Sequence, residues 1–262
     1  MVRRKSLFLV LAVVVLMTFI FSACGQASTS NVLRVGIDDT YPPMEYKDEA
    51  GNNAGFDIEL AQELGKRLNK EVQFVPTAWT AIFTGLSSNK YDCIISSLSI
   101  TDERKKTIAY TQPYVANSQV IVVRSDNSAI GSEKDLGDKI VAVQMGTTSE
   151  EACNEFIKST PFKDYKKYEA MTEALSELKI GRVDAVVCDL VIGKYFVAKD
   201  KESFKTVSTT LPNEPIGIGF TKANQAEAEK FDKLLDEMKK DGTLKSISEK
   251  WFGEDMTQNI AD

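Results

Sequence analysis

The chain of 262 residues contains no histidine. This absence excludes Ser-His-Asp triads, zinc sites built on histidine, and any histidine-based pH switch. The chain has 32 Lys and Arg and 38 Asp and Glu, so cations are in the minority and the net charge is -6. Nucleic-acid binding requires the opposite balance, so we expect no nucleic-acid partner. The sequence also predicts no metal site and no cofactor.

Cysteine is scarce too, with four residues in the chain. Cys93, Cys153 and Cys188 remain once the N-terminal segment is set aside, so at most one pair could form a disulfide bond. Cys93 and Cys188 stand in apolar runs typical of strands. This position favours small buried side chains over a redox or catalytic role.

The first 23 residues are typical of an export signal. Cations at residues 3–5 precede an apolar run over 7–21, about 15 residues long and short of the roughly 20 that span a membrane. The small residues before Cys24 resemble the lipobox of bacterial lipoproteins, although Phe21 stands where that motif usually has Leu. The resemblance implies a lipid-modified (palmitoylated) Cys24. An uncleaved membrane anchor is the alternative.

Cleavage before Cys24 would leave a lipid-anchored chain outside the cytoplasmic membrane. It would remove three cations and no acid, so the net charge would move from -6 to -9. The small polar residues at 24–31 predict a tether between the lipid and the folded part.

The rest of the sequence alternates short Val- and Ile-rich runs with amphipathic segments, a pattern typical of α/β architecture with mostly parallel strands. Its length allows one large domain or two smaller ones. The pattern predicts strands over residues 32–37, 72–75, 93–96, 118–124, 140–143, 185–187 and 216–220. It predicts helices over residues 55–69, 79–87, 149–158, 172–179 and 225–240, with a short helix ending near 252.

One stretch of the first half is repeated in the second. Residues 86–96 and 178–188 share the order Leu, three residues, a base, one residue, Asp and an apolar run. Each copy ends a helix, turns and enters a strand, so Asp92 and Asp184 are predicted to fix these turns rather than to contact a ligand. The repeat indicates two lobes of similar plan.

Polar clusters follow four of the predicted strands. Ligands of open α/β sheets bind beyond the carboxyl ends of the strands, and here those ends carry residues 38–43, 96–104, 144–149 and 189. Arg104 offers a planar fork for a carboxylate, and Asp189 can accept from an ammonium group. Tyr41 and Trp79 offer flat faces. Together these groups fit a free α-amino acid.

The same clusters also have a purely structural explanation. A helix N-cap followed by acids in the first turn would account for residues 101–103, and residues 149–151 are likewise an ordinary helix start. Arg104 is not explained in this way, because the helix dipole disfavours a cation in the first turn.

Several stretches, in the same order, resemble the polar amino-acid binding proteins of ABC importers, solute-binding protein family 3. They cover nearly all of residues 32–253. The resemblance is carried by GIDDTYPPM at 36–44, GFDIELA at 55–61, YDCIISSLSITDERKK at 91–106, QPY at 112–114, QMGTT at 144–148, GRVDAVVCD at 181–189 and KWFG at 250–253. It implies the type II periplasmic-binding fold, with two α/β lobes joined by two crossing hinge strands. Lobe 1 would comprise residues 32–121 and 216–262, and lobe 2 residues 122–215.

The resemblance also implies how the two poles of an amino acid would be bound. Arg104 matches the position of the family's carboxylate clamp, assisted by Ser99 and Thr148. Asp189 matches the acceptor of the α-ammonium group, with the Ser97 carbonyl beside it.

Five further positions would surround the side chain of the ligand. Asp38 matches a position that contacts the ligand's distal polar group, and Tyr41 and Trp79 match the pair that sandwiches the side chain. Gln144 matches a position that varies with the ligand, and Thr147 lies in the same cluster.

The resemblance implies a monomeric binding protein, not an enzyme, that delivers a free polar amino acid to the permease and ATPase of an ABC transporter. Asp38, the net charge and the aromatic pair favour arginine, lysine or histidine, with glutamine next. Two alternatives remain open. One is a cyclohexadienyl dehydratase-like enzyme on the same fold, with Asp38 as its general acid. The other is a ligand sensor.

Overall fold

The computed structural model describes residues 31–258 and Ile260. The predicted signal segment, the lipidation site at Cys24 and residues 24–30 of the predicted tether lie outside the described residues. Within the described range, no helix combines the length and the apolar character that crossing a membrane requires.

Short strands and amphipathic helices alternate along the described chain. The strands are β1 (Val32–Ile37), β2 (Thr40–Tyr41), β3 (Glu45–Lys47), β4 (Asn53–Ala54), β5 (Glu71–Pro76), β6 (Cys93–Ile94), β7 (Ile108–Tyr110), β8 (Gln119–Arg124), β9 (Ile140–Gln144), β10 (Asp164–Tyr168), β11 (Ala185–Asp189), β12 (Phe204–Ser208) and β13 (Gly219–Thr221). The α-helices are α1 (Phe56–Arg67), α2 (Trp79–Ser87), α3 (Asp102–Lys105), α4 (Thr148–Ser159), α5 (Met171–Lys179), α6 (Leu190–Lys199), α7 (Gln225–Lys240) and α8 (Thr243–Phe252).

The first large sheet has the strand order β5-β1-β6-β13-β7. Strand β1 is parallel to β5 and β6, whereas β13 is antiparallel to β6 and β7. Helix α1 covers this sheet because Phe56, Leu60 and Leu64 recur every four residues and form one apolar face. All three side chains are fully buried.

The second large sheet has the order β10-β9-β11-β8-β12. Strand β9 is parallel to β10 and β11, and β8 is antiparallel to β11 and β12. The chain passes between the two sheets over residues 111–118 and again over 209–218. These connections run side by side, since Val115 and Ile216 form an antiparallel bridge. The two-lobe α/β fold predicted from the sequence is confirmed.

The lobe boundary between residues 121 and 122 stays a prediction. Every residue from Gln119 to Arg124 pairs with a strand of the second large sheet. This pairing favours a boundary before Gln119, at the connection itself.

Most predicted strands differ from the structure by one or two residues, and in two of them the chain departs from the predicted strand. The strand predicted over 93–96 contains only Cys93 and Ile94, because the chain turns at Ser97, whose φ is 44°. The strand predicted over 216–220 is found at Gly219–Thr221, with Ile216 in an isolated bridge.

The three cysteines outside the N-terminal segment are free and buried, and burial raises the pKa of the Cys153 thiol to about 12. The prediction of small buried side chains is confirmed for Cys93 and Cys188.

Candidate functional site

A small cavity lies at the carboxyl ends of strands from both large sheets. All ten residues predicted as a binding site contribute to its wall. The sequence did not single out the other two, Glu45 and Ser96. The lining consists of Asp38, Tyr41, Glu45, Trp79, Ser96, Ser97, Ser99, Arg104, Gln144, Thr147, Thr148 and Asp189.

Asp189 stands at the end of β11 and is 5% exposed. Its carboxylate accepts hydrogen bonds from the Tyr41 hydroxyl at 2.7 Å, from Asn117 Nδ2 at 2.8 Å and from Gln119 Nε2 at 2.9 Å. Burial raises the pKa of Asp189, and these donors oppose that rise. The arrangement therefore holds a buried acid with no arginine or lysine paired to it among the described residues.

Asp38 follows β1 on the opposite wall. Its Oδ2 accepts from Gln144 Nε2 at 2.7 Å, and its Oδ1 accepts from Thr40 Oγ1 at 2.7 Å. Burial raises the pKa of Asp38 against the effect of these two bonds. Because Gln144 ends β9, the bond to Asp38 joins the two sheets across the cavity.

Arg104 is the cation of the cavity wall. Its guanidinium lies 5.6 Å from the centroid of the Trp79 ring and 5.3 Å from that of Phe83, within cation–π distance. Its Nη1 donates to the Ser99 carbonyl at 3.3 Å. No carboxylate of the described residues lies within 4.0 Å of the guanidinium. Its charge is thus held by aromatic faces and a carbonyl, and no acid of the described chain neutralises it.

Two threonines of the predicted clusters cap helices. The Thr101 Oγ1 accepts from the Arg104 N–H at 3.2 Å, and the Thr147 Oγ1 accepts from the Glu150 N–H at 3.3 Å. The structural explanation of residues 101–103 as a helix start is therefore correct. Thr148 is the first residue of α4, and its hydroxyl accepts from Gln119 Nε2 at 3.1 Å.

The aromatic residues do more than offer flat faces. Trp79 is 7% exposed and donates from Nε1 to the Gly146 carbonyl at 2.8 Å. The Tyr41 hydroxyl donates to Asp189, as described above. Trp79 belongs to α2 and Tyr41 to β2, and each bond joins the two lobes, so these rings help to close the cavity. The sandwich role stays a prediction.

The residues that the sequence missed act mainly through other residues of the site. Asn117 and Gln119 lie in the first connection and at the start of β8, and they donate to Asp189. Glu45 and Ser96 bond to each other at 2.7 Å. Ser96 lies in the predicted strand-end cluster 96–104, and the only sequence signal for Glu45 is that it adjoins the stretch 36–44 that carries the family resemblance. Among the described residues, no group of three or more His, Cys, Asp or Glu side chains could hold a metal ion.

Comparison with known proteins places the chain in a family. The model of the bacterial extracellular solute-binding proteins, family 3, matches residues 33–254. The L-cystine-binding protein TcyJ of Escherichia coli (strain K12) is 32% identical, over 86% of this chain and 84% of TcyJ. The arginine-binding extracellular protein ArtP of Bacillus subtilis (strain 168) is 32% identical, over 94% of this chain and 97% of ArtP. A solved structure of an ancestral arginine-binding protein bound to arginine matches with a TM-score of 0.81 and 43% identity, over 85% of this chain and 99% of that one. The chain belongs to the bacterial extracellular solute-binding proteins, family 3, whose members bind amino acids outside the cytoplasm and work with ABC importers.

Proposed function

We propose that this protein captures a free L-amino acid with a basic side chain, arginine before lysine or histidine, and delivers it to an ABC permease with its ATPase. The observation that carries the proposal is the charge of the cavity wall. Asp38 and Asp189 are buried there, and Arg104 is the cation beside them. An α-amino acid zwitterion uses one carboxylate and one cation. The second carboxylate is then available for a cationic side chain.

The pKa values of the two carboxyl groups support a cationic ligand. Burial raises the pKa of both Asp38 and Asp189. A cation next to a buried acid lowers its pKa again and stabilises its charged form. A neutral side chain such as that of glutamine would leave Asp38 without this compensation, so we place glutamine second.

In the proposed binding mode, the α-carboxylate lies on Arg104, with the hydroxyls of Ser99 and Thr148 nearby. The α-ammonium group lies on Asp189 and the Ser97 carbonyl. The side chain runs between the rings of Tyr41 and Trp79 toward Asp38, Gln144 and Thr147. Every one of these residues lines the same cavity.

Capture would occur by closure of the two lobes. Three hydrogen bonds link the two sides of the cavity: Trp79 to Gly146, Gln144 to Asp38, and Tyr41 to Asp189. A ligand that touches both sides adds contacts that the open form lacks, and this difference drives closure.

The relatives named for their ligands differ among themselves, since TcyJ is named for L-cystine and ArtP for arginine. The charge of the cavity wall is therefore our argument for a basic ligand here. We also propose that Cys24 carries a lipid that holds a monomeric protein at the membrane. The motif around Cys24 supports this part of the proposal.

A thermal-shift screen of the common amino acids and cystine tests the ligand class. A ligand present at about a thousand times its Kd stabilises a protein by about 4 kcal/mol. We expect the largest shift with arginine and a smaller one with glutamine. A largest shift with cystine or another neutral ligand would overturn the basic class, and no response to any amino acid would overturn amino-acid binding.

The curated relatives reported above are named as binding proteins, and we propose that this chain has no enzymatic activity. Incubation with a cyclohexadienyl substrate, followed by absorbance of an aromatic product, tests this point. Turnover that disappears in Asp38→Asn would favour the dehydratase alternative.

A further inference from the structure

Two carboxyl groups lie together at the cavity, Glu45 in its wall and Asp57 behind it. Glu45 of β3 and Asp57 in the first turn of α1 are both fully buried. The Asp57 N–H donates to the carbonyl of Met44, the residue before Glu45, at 2.9 Å, and the adjacent residues Ser96 and Ser97 donate to Glu45 and Asp57 respectively. Each carboxyl group acts on the pKa of the other. Two carboxylates in contact in a buried site repel each other, so at least one of the two must keep a proton.

No lysine or arginine nitrogen of the described residues lies within 4.0 Å of either carboxyl group. The titratable groups that act on Glu45 and Asp57 from the neighbouring elements are Asp38, Tyr41 and Tyr114. None of them carries a positive charge. A second ionised carboxyl group would therefore add to an acidic environment without an opposing charge.

The hydrogen bonds indicate which member of the pair keeps the proton. Asp57 accepts on both oxygens, from the Tyr114 hydroxyl at 2.8 Å and from the Ser97 N–H at 2.7 Å. Glu45 accepts on Oε1 from Ser96 at 2.7 Å, whereas its buried Oε2 has no donor among the described residues. A protonated Oε2 can instead donate to Asp57. This assignment agrees with the pKa values, since burial raises that of Glu45 well above its usual range and that of Asp57 to about 6.

The acid pair supports two residues of the cavity wall. Ser96 Oγ donates to Glu45 and accepts from the Asp38 N–H at 2.9 Å, so it ties the Asp38 backbone to Glu45. The Ser97 N–H donates to Asp57, and Ser97 has a φ of 44°, which a serine rarely adopts. The Ser97 Oγ is buried at the cavity wall and has no hydrogen-bond partner among the described residues.

We infer that Glu45 and Asp57 share a single proton and that this neutral-acid and carboxylate pair positions Ser96 and Ser97 for the ligand. Glu45 and Asp57 act on the ligand site through Ser96 and Ser97, and neither is proposed to contact the ligand through its charge. Its consequence for ligand binding rests on the proposed function, whereas the shared proton does not.

The substitution Glu45→Gln distinguishes a protonated from an ionised Glu45. The glutamine amide donates to Asp57 and its carbonyl accepts from Ser96, so E45Q preserves both bonds without a titrating group. A carboxyl group with a raised folded-state pKa stabilises the fold fully below its unfolded pKa of about 4.3, and this stability is lost as the pH rises toward the folded pKa. The glutamine side chain of E45Q does not titrate, so E45Q keeps this stability as the pH rises.

The experiment measures the unfolding temperature of the full chain without ligand, as wild type, E45Q and Glu45→Ala, between about pH 4.5 and pH 9. We expect E45Q to unfold at a higher temperature than the wild type at about pH 8, and the difference to shrink toward about pH 4.5. The infrared C=O band of a protonated carboxylic acid should be present in the wild type near neutral pH and reduced in E45Q. An E45Q that is less stable than the wild type at about pH 8 would overturn the shared proton.

The positioning role is read from ligand affinity at neutral pH, with the amino acid that gives the largest shift in the screen. We expect E45Q to bind within about threefold of the wild type, because its bonds are conserved. E45A should bind about tenfold more weakly or worse, because Ser96 and Asp57 each lose a buried partner. Equal affinity of E45A and the wild type would overturn the positioning role. If no amino acid binds the wild type, the proposed function fails, and the stability profile still decides the shared proton.

Discussion

In both large sheets, an aspartate ties the turn after a helix to the first parallel strand. Asp92 donates its N–H to the Arg34 carbonyl at 2.9 Å and accepts from the Arg34 N–H at 2.8 Å. Asp184 makes the same two bonds with Ile140, both at 2.8 Å. Neither aspartate lines the cavity. The repeated sequence motif thus corresponds to a repeated structural device, and its predicted role in the turn is supported by these bonds.

The two sheets differ after this turn. Strand β6 has two residues, and a loop with a left-handed Ser97 then leads to Arg104. Strand β11 has five residues and ends at Asp189, which directly precedes α6. One lobe therefore presents hydroxyls on a loop supported by buried acids and a cation on the short helix α3, and the other presents a carboxylate at the end of a strand. The comparison shows that the same helix-turn-strand unit leads to a cation, Arg104, in one lobe and to a carboxylate, Asp189, in the other.

Removal of Arg104 or Asp189, the two charged groups proposed to bind the poles of the amino acid, should have the largest effect on affinity. We expect Arg104→Ala and Asp189→Ala each to weaken amino-acid binding by about 3 to 5 kcal/mol, because a buried ligand charge would lose its partner. Calorimetric titration measures the loss, and circular dichroism checks the fold. Arg182→Ala is a matched control, since Arg182 is a surface arginine with a side chain 70% exposed. Wild-type affinity in either pole variant would show that the ligand does not use that pole.

The charge of Asp38 should matter less for affinity and more for specificity. Asp38→Asn keeps the size of the side chain and removes its charge, so we expect a basic ligand to lose about 1.5 to 3 kcal/mol. Glutamine should lose less, which lowers the ratio of arginine to glutamine affinity. Asp39→Asn is the control, because Asp39 is paired with Lys47 at 3.7 Å and does not line the cavity. An unchanged ratio in D38N would contradict a basic ligand.

The shared turn can be tested through stability. Asp92→Asn and Asp184→Asn should each lower the free energy of unfolding by about 1 kcal/mol, because each weakens a part-buried hydrogen bond from a backbone N–H to the side chain. D92N should lose more, since Arg34 also pairs with Asp92 through its guanidinium at 2.6 Å. Urea denaturation measures both, and amino-acid affinity should stay unchanged. A loss of affinity in either variant would show that the turn does more than hold the strand.

The contribution of Asp92 to the free energy of unfolding should decrease at low pH. Burial raises the pKa of Asp92, but the hydrogen bonds from Arg34 outweigh it and hold that pKa below its usual range. A carboxyl group with a lowered pKa stabilises the fold above its unfolded pKa, and the stability is lost as the pH falls through the folded value. The stability difference between wild type and D92N should therefore shrink on acidification below about pH 4.

The smallest effect is expected for Tyr41→Phe. The ring stays, and Asp189 keeps the donors Asn117 and Gln119. Loss of one hydroxyl should change ligand affinity by no more than about 1 kcal/mol. A much larger loss would indicate that the Tyr41 hydroxyl itself is needed to hold the two lobes together.

Much of the fold was predictable where local pattern is strong. The bounds of β1, α2 and α7 agree with the prediction, because apolar periodicity and chain breakers define them locally. Strands β10 and β12 were missed because they lie at the sheet edges, where exposed polar residues alternate with partly buried ones. Helix α6 was missed because its first apolar residues continue the apolar run of β11.

The cavity was predictable as a set of strand ends, and the resemblance to the family selected ten of its residues. Glu45 and Asn117 could not be found in this way, because their importance lies in partners distant in the chain. Glu45 bonds to a residue 51 positions away, and Asn117 to one 72 positions away. No local pattern records such a pairing.

The sequence by itself determined the alternation of strands and helices and the chemical groups available at the strand ends, since both depend on neighbouring residues. Only the tertiary structure decided that Tyr41 reaches Asp189, 148 residues away, and that Glu45 and Asp57 lie together with no lysine or arginine of the described chain paired to them. The physical reason is that burial and hydrogen bonding are properties of the assembled lobes. A carboxyl group acquires its proton affinity from the groups that pack around it.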